Sequence, residues 1–338
     1  MNAIKVPFKE AERAKQYLIS TENLSDTYKV TSKGGFVYFP ILLKTKVGKK
    51  YSVSSLTLKK TGKKEKDLKK ILAKSFTKKQ LEKLKTAYDQ VGSIAILEID
   101  KTMTEKETQI AKVLLQTQPS IKTVLKKEGG HVGEFRVQKM KFLAGVNTRE
   151  TIHRENGVQL SLDVENVYFS PRLSTERKRI MQLVKKGESV LVLFSGCAPY
   201  PCVLAKNTAA KEIYGIELNP VGHQYGLKNV TLNKLKNVFL FHGDVRNVVP
   251  TFGKKFDRIL MPLPKSSQDF LDIALSAAKK GTIIHCYDFV HEDHFPDAVK
   301  KVEDACIIAH RECKILGVVK CGQQSPHVYR ICVDFELV

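Results

Sequence analysis

Three strand ends in the C-terminal half carry side chains suited to holding a nucleoside. The run Val190-Leu191-Val192-Leu193-Phe194 reads as a buried strand that breaks into Ser195-Gly196-Cys197-Ala198-Pro199-Tyr200, a tight loop opening a helix. In an open α/β sheet the ligand lies beyond the carboxyl ends of the strands, over such a helix start. One glycine is too few for a pyrophosphate cradle, so a ligand without phosphates suits this loop better. Glu217 ends the next strand, twenty-one residues after Gly196, where a carboxylate commonly holds two ribose hydroxyls. Asp244 ends a third in His242-Gly243-Asp244-Val245, where a carboxylate or a neighbouring amide can meet an adenine amino group. A single strand-end acid is more often a cap or a surface charge. Three in register favour a nucleoside site.

A second constellation precedes this sheet. It runs through Gly133-Glu134-Phe135-Arg136, Leu143-Ala144-Gly145 and His153-Arg154-Glu155-Asn156-Gly157. It ends in Val167-Tyr168-Phe169-Ser170-Pro171-Arg172-Leu173-Ser174-Thr175-Glu176-Arg177. A purely structural reading asks only for strand, turn and helix cap, with Ser174 as N-cap and Glu176 as a first-turn acid. Yet Tyr168, Arg172 and Glu176 recur every four residues at a domain junction, a high density of functional side chains. A fourth strand end, Met261-Pro262-Leu263-Pro264-Lys265, is either a proline-stiffened turn or a loop facing a substrate beside the nucleoside.

The elements that must position these residues follow from periodicity. From Tyr168 onward, continuous apolar strands alternate with helices: strands near 190–194, 213–217, 238–241, 258–261 and 282–287, helices at 176–184, up to 206, 220–233, 267–279 and 296–305. That pattern is a parallel, doubly wound sheet. Two long closing strands, 313–319 and 328–337, add an antiparallel edge. Between about 88 and 165 the polar and apolar alternation suits an antiparallel sheet with one solvated face. The first fifty residues read as a small α/β unit. Lysine dominates Lys44 to Lys85, a run read as a solvated linker with a docked helix.

The 338 residues suggest two or three domains. Lys and Arg total 57 against 35 acids, a formal charge of +22. Such a field draws polyanions, and nucleic acid is the leading partner; the plain alternative is a solvated surface on a thermally adapted protein. The seven cysteines all follow residue 196, and none is in the spacing of a zinc site, so neither a metal site nor a disulfide framework is expected. No window approaches 18 uncharged apolar residues, and the start lacks the apolar core of a signal peptide. A cytoplasmic protein with no membrane contact is expected.

The glycine loop, Glu217 and Asp244 together resemble the S-adenosylmethionine site of the Rossmann-type methyltransferases. The whole chain resembles the archaeal and eukaryotic family of tRNA guanine-37 methyltransferases, most specifically in Arg136 and in Tyr-Phe-Ser-Pro-Arg-Leu-x-x-Glu-Arg. The resemblance implies an α/β fold. Its Rossmann-like class I methyltransferase domain, residues 166–338, follows two smaller α/β domains, 1–60 for tRNA recognition and 61–165 in the middle, the latter starting in the lysine-rich linker. It implies Arg136 and Glu176 as catalytic, with Tyr168, Arg172, Pro262 and Pro264 binding substrate. Phe194, Gly196, Tyr200, Glu217, Asp244 and Val245 would bind S-adenosylmethionine. The implied partner is tRNA, met at its anticodon loop and outer corner, with no obligatory protein partner evident.

The chemistry fits these residue types. Guanine N1 bears a proton that must leave when the methyl arrives, and a carboxylate such as Glu176 can accept it. Charge then moves onto O6, where the Arg136 guanidinium can stabilise it. The base must first be extruded from the anticodon loop. Two departures from the family pattern stand out. Pro262 replaces the common Asn of the substrate loop, and the cofactor loop reads Phe-Ser-Gly-Cys-Ala-Pro-Tyr rather than Phe-Ala-Gly-Val-Gly-Pro-Phe. Both point to the archaeal subgroup that methylates C7 of the tricyclic wyosine precursor beside or instead of guanosine N1. The rivals are a strict C7 methyltransferase, a related aminocarboxypropyl transferase, or a non-catalytic tRNA-binding protein with a dead cofactor fold.

Overall fold

In the computed structural model, which describes all residues except 44–46, 48–50, 61–66, 131 and 264–266, the chain forms two units, Met1–Lys74 and Ser75–Val338. The first unit contains strands β1 (Asn2–Pro7), β2 (Thr31–Lys33), β3 (Phe36–Pro40) and β4 (Ser52–Ser55) and helices α1 (Ala11–Ser20) and α2 (Leu68–Leu72). Its sheet has the order β2-β3-β1-β4. Alternate residues Ile4 and Val6 of β1 and Val37 and Phe39 of β3 face Ala14 and Leu18 of α1, which closes a small core. Period-two and helical spacing thus meet on one apolar layer. Twelve residues of the lysine-rich run lie outside the described residues; its described part carries β4, α2 and the helix α3 (Lys78–Lys83).

In the second unit, β5 (Tyr88–Val91), β6 (Ile94–Leu97), β7 (Thr123–Lys127) and β8 (Met140–Gly145) form a four-stranded sheet in chain order. The antiparallel expectation is corrected here: β6 and β7 pair in parallel, with helix α4 (Glu107–Thr117) as the crossover that a parallel pair requires. The hairpin β9 (Glu150–Glu155) and β10 (Val158–Asp163) forms its own two-stranded sheet.

The large sheet supports the site. It is built from α5 (Ser174–Leu183), β11 (Ser189–Val192), α6 (Pro199–Asn207), β12 (Glu212–Glu217), α7 (Pro220–Leu232), β13 (Val238–His242), α8 (Val245–Val248), β14 (Phe256–Met261), α9 (Leu271–Ser276), β15 (Ala278–His291), α10 (Phe295–Ile308), β16 (Cys313–Ser325) and β17 (Val328–Leu337). The strand order is β13-β12-β11-β14-β15-β17-β16, parallel from β13 to β15 and antiparallel at β17 and β16. Leu191 packs into the core on one face of the sheet and Val190 and Val192 into the core on the other, which is why this strand reads as an unbroken apolar run.

The helix expected over 267–279 ends at Ser276. Ala278 already pairs with Phe256, and the Thr282 hydroxyl donates to the Phe256 carbonyl at 2.6 Å. Apolar residues at 271, 274, 275 and 278 fit a helix, but the sheet claims the last of them. At the edge, β16 alternates half-buried and exposed positions, with Lys314 and Lys320 marking it against further pairing.

Candidate active site

The loop after β11 turns on left-handed residues: Phe194 (φ 59°), Gly196 (φ 57°) and Ala198 (φ 61°). At Gly196 the turn brings the backbone N–H to Glu217 Oε2 at 2.6 Å, while Asn219 N–H donates to Oε1 at 2.8 Å. Burial pushes the Glu217 carboxyl above the usual carboxylate range, opposed by the N–H groups of Asn219, Gly196 and Leu218, which favour its charged form. Asp244, just past β13, caps α8 by accepting from Arg246 N–H at 2.7 Å. Parallel pairing of Glu217 with His242 sets Asp244 beside Glu217 at the carboxyl edge of the sheet. Val245 is buried behind Asp244, and Phe194 meets Phe270 edge-on at 4.9 Å.

Gly196, Glu217 and Asp244 therefore share one strand-end edge. Two carboxylates there can accept from a nucleoside's ribose diol and amino group, with the Gly196 N–H orienting Glu217. S-adenosylmethionine fits this set. Tyr200 lies elsewhere: 3% exposed inside α6, it directs its hydroxyl to that of Tyr287 at 3.1 Å.

A cavity of about 290 Å³ opens on the same unit. Arg136, Tyr168, Arg172, Phe289 and Arg330 line it, with the guanidinium of Arg136 over the Tyr168 ring at 4.9 Å. Arg136 has φ 53°, a conformation that a non-glycine residue rarely holds. Arg172 is 64% exposed along its side chain and grips Asp89, Nε to Oδ1 at 2.7 Å and Nη2 to Oδ2 at 3.1 Å. Pro262 follows β14, and Pro264 lies outside the described residues.

Glu176 does not line the cavity. It sits in the first turn of α5, 5% exposed, with Arg179 donating Nε to Oε2 at 2.8 Å and Nη2 to Oε1 at 2.7 Å. Tyr287 adds a third donor to Oε1 at 2.6 Å. Burial, first of all, holds the Tyr287 phenol well above its ordinary pKa, so it keeps the proton it donates. Arg179 also reaches Asp334, which pairs with His285 Nδ1 at 2.6 Å. Burial pushes the Asp334 carboxyl up, but His285 and Arg179 outweigh this and hold it well below the usual range. Burial keeps His285 neutral, so Nε2 accepts from Arg258 Nη1 at 2.7 Å.

His285, Cys332 and Asp334 bring potential metal ligands within 4.8 Å of one another. Two guanidinium groups, Arg179 and Arg258, already bond to members of this trio and would repel a cation. The group reads as a hydrogen-bond network.

Sequence reasoning missed Arg179, Tyr287, Asp334 and His285. For Arg179 a signal existed, the i,i+3 spacing from Glu176 on one helix face. Tyr287 and His285 were hidden inside an apolar strand. Arg177, the last residue of the motif, is fully buried and donates Nη2 to Glu155 Oε2 at 2.7 Å and to the Ser170 carbonyl at 3.1 Å. It fastens the motif to β9.

Comparison with known proteins adds three matched models: TRM5/TYW2 methyltransferase domain over residues 151–316, TYW2 N-terminal domain over 68–148, and tRNA methyltransferase 5 N-terminal domain over 3–47. The chain is 33% identical over 336 residues to the tRNA (guanine(37)-N(1))-methyltransferase Trm5b of Pyrococcus abyssi, covering 99% of this chain and 98% of that one. The crystal structure of that Trm5b superposes with a TM-score of 0.82, at 32% identity over 100% of this chain and 99% of its own. The chain is 32% identical over 312 residues to the tRNA (guanine(37)-N(1))/4-demethylwyosine(37)-methyltransferase Taw22 of Nanoarchaeum equitans, covering 75% of this chain and 100% of that one. A complex of aTrm5 with tRNALeu superposes with a TM-score of 0.78, at 32% identity and full coverage of both chains.

Proposed function

This chain belongs to the TRM5/TYW2 methyltransferase family, and from that premise we propose that Arg136 and Glu176 carry the chemistry of methyl transfer. The enzyme is an S-adenosylmethionine-dependent methyltransferase acting on position 37 of tRNA. Gly196, Glu217 and Asp244 would hold S-adenosylmethionine, which would supply an electrophilic methyl group. The observation that carries our reading is the Arg136 guanidinium stacked on Tyr168 in the cavity.

In this reading the guanosine, extruded from the anticodon loop, stacks beside Tyr168. Arg136 donates to O6 as negative charge develops there, and needs no reorganisation to do so. Glu176 accepts the N1 proton, exchanging the Tyr287 hydroxyl for it; catalytic contacts commonly tighten only with substrate present. Arg172 releases Asp89 for the RNA backbone. Phe194 and Val245 shape the apolar part of the cofactor site, while Tyr200 supports Glu176 through Tyr287.

Residues 1–60 serve as the module for the outer corner of tRNA, 61–165 as the middle domain and 166–338 as the methyltransferase domain. The +22 charge supports a polyanion as partner. No helix among the described residues is long and apolar enough to cross a membrane, and we place the enzyme in the cytoplasm, where its substrate is.

Pro262 favours a second substrate. Without the amide of an Asn, the loop after β14 leaves a flat tricyclic base as well served as guanine, so methylation of C7 of the wyosine precursor accompanies or replaces N1 methylation. Nucleoside mass spectrometry of tRNA treated with the enzyme tests both products. Glu176→Gln should slow transfer to guanosine about 10²–10⁴-fold. An unchanged rate removes Glu176 from the mechanism.

A further inference from the structure

Arg330 of β17 lies opposite Phe289 of β15 in the antiparallel register, and its guanidinium rests over that ring at 4.9 Å. It is 9% exposed and lines the cavity with Arg136 and Tyr168. Buried guanidinium groups are ordinarily paired with carboxylates. Here Arg177 pairs with Glu155, Arg179 with Glu176 and Asp334, and Arg258 with Glu188. Arg330 departs from this rule. Among the described residues no carboxylate forms an ion pair with it, and its Nε has no hydrogen-bond partner. Its Nη2 donates to the Tyr168 hydroxyl at 2.9 Å.

The direction of that bond matters. A guanidinium has donors only, so the Tyr168 oxygen accepts, and the tyrosine proton is turned away from Arg330. The same ring carries Arg136 on its face. We propose that Arg330 is a positioning residue of the nucleotide cavity: through its bond to the Tyr168 hydroxyl it locks the ring on which Arg136 stacks in the orientation that receives the target nucleotide. The closing strand pair thereby becomes part of the substrate site. Its charge is not consumed in holding the fold together, as that of Arg177 is. This inference rests on the cavity being the guanosine site.

The test is a double-substitution cycle in single-turnover methylation of tRNA by the full chain. Tyr168→Phe and Arg330→Met should each slow the transfer step about tenfold or more, the scale of one lost charged hydrogen bond, with cofactor affinity unchanged. The double variant should be no slower than the slower single. Multiplying losses would overturn action through Tyr168, since an arginine that only supports the fold slows both backgrounds alike. A Tyr168→Phe enzyme as fast as the parent would overturn the guanosine placement and this inference with it. Arg330→Lys keeps the charge and one donor; it runs the same cycle if Arg330→Met fails to fold. It should recover part of the rate in the parent and none in the Tyr168→Phe background, and recovery in both would count against the proposal.

Discussion

Tyr287 donates its phenolic proton to Oε1 of Glu176 over 2.6 Å, across 111 residues of sequence. The bond ties the first turn of α5 to the middle of β15. It adds to a carboxylate that pairs with Arg179 on its own helix a partner from a distant strand. Tyr287→Phe should cost about 1.5–3 kcal/mol of stability, as expected for losing a hydrogen bond to a charged group, and should slow methyl transfer by loosening the placement of the carboxylate. Urea unfolding and single-turnover rates measure the two effects; a variant equal to the parent in both would show the bond to be idle.

Asp334 joins Arg179 to His285 with its side chain only 11% exposed. Asp334→Asn takes one of two carboxylate partners from Arg179 and a charged acceptor from His285, and about 1.5–3 kcal/mol should be lost. The pH dependence has a definite sign. A carboxyl held below its unfolded value contributes stability that is present above the ordinary Asp range and is lost as pH falls through the depressed value. Acid titration of the parent should therefore show a loss that the Asn variant lacks.

Glu217 shifts the other way. Burial raises its carboxyl above the usual range, so protonation begins at a higher pH than for an exposed glutamate. Binding of S-adenosylmethionine through ribose hydroxyls needs the carboxylate as acceptor, so affinity should fall as the solution is acidified from neutrality. Glu217→Gln should bind weakly at every pH and lose this dependence. Isothermal titration across the range decides it, and tRNA affinity should stay nearly constant.

Affinity for tRNA should drop steeply with salt, because lysines that neutralise phosphates release condensed counterions. Removing Met1–Lys74, which form a separate unit with its own core, should weaken tRNA binding and spare cofactor binding. A salt-independent affinity would make the +22 charge a solvated surface.

Pro262→Asn should move preference towards plain guanosine by restoring an amide partner for the base. Rates on guanosine-37 tRNA and on tRNA carrying the tricyclic precursor give the ratio. An unchanged ratio would separate this loop from substrate choice.

The amino-acid sequence by itself determined the parallel sheet and the chemistry of its edge. Strand 190–194 is apolar on both faces, Glu217 ends its strand, and Gly196 and Asp244 lie in the loops just after theirs, so period and spacing suffice to place them. The pairing of β6 with β7 was open to the same logic, since a helix of eleven residues stands between them, although the alternating pattern pointed the other way. Where β15 begins was not: Ala278 fits a helix equally well, and only its partner Phe256 decides. The surroundings of Glu176 and Tyr168 were settled by tertiary structure alone. Tyr287, Asp334 and Arg330 come from strands 111 to 162 residues away and reach their partners through sheet register. A hydrogen bond between buried groups depends on which strands lie adjacent, and local periodicity carries no information about that.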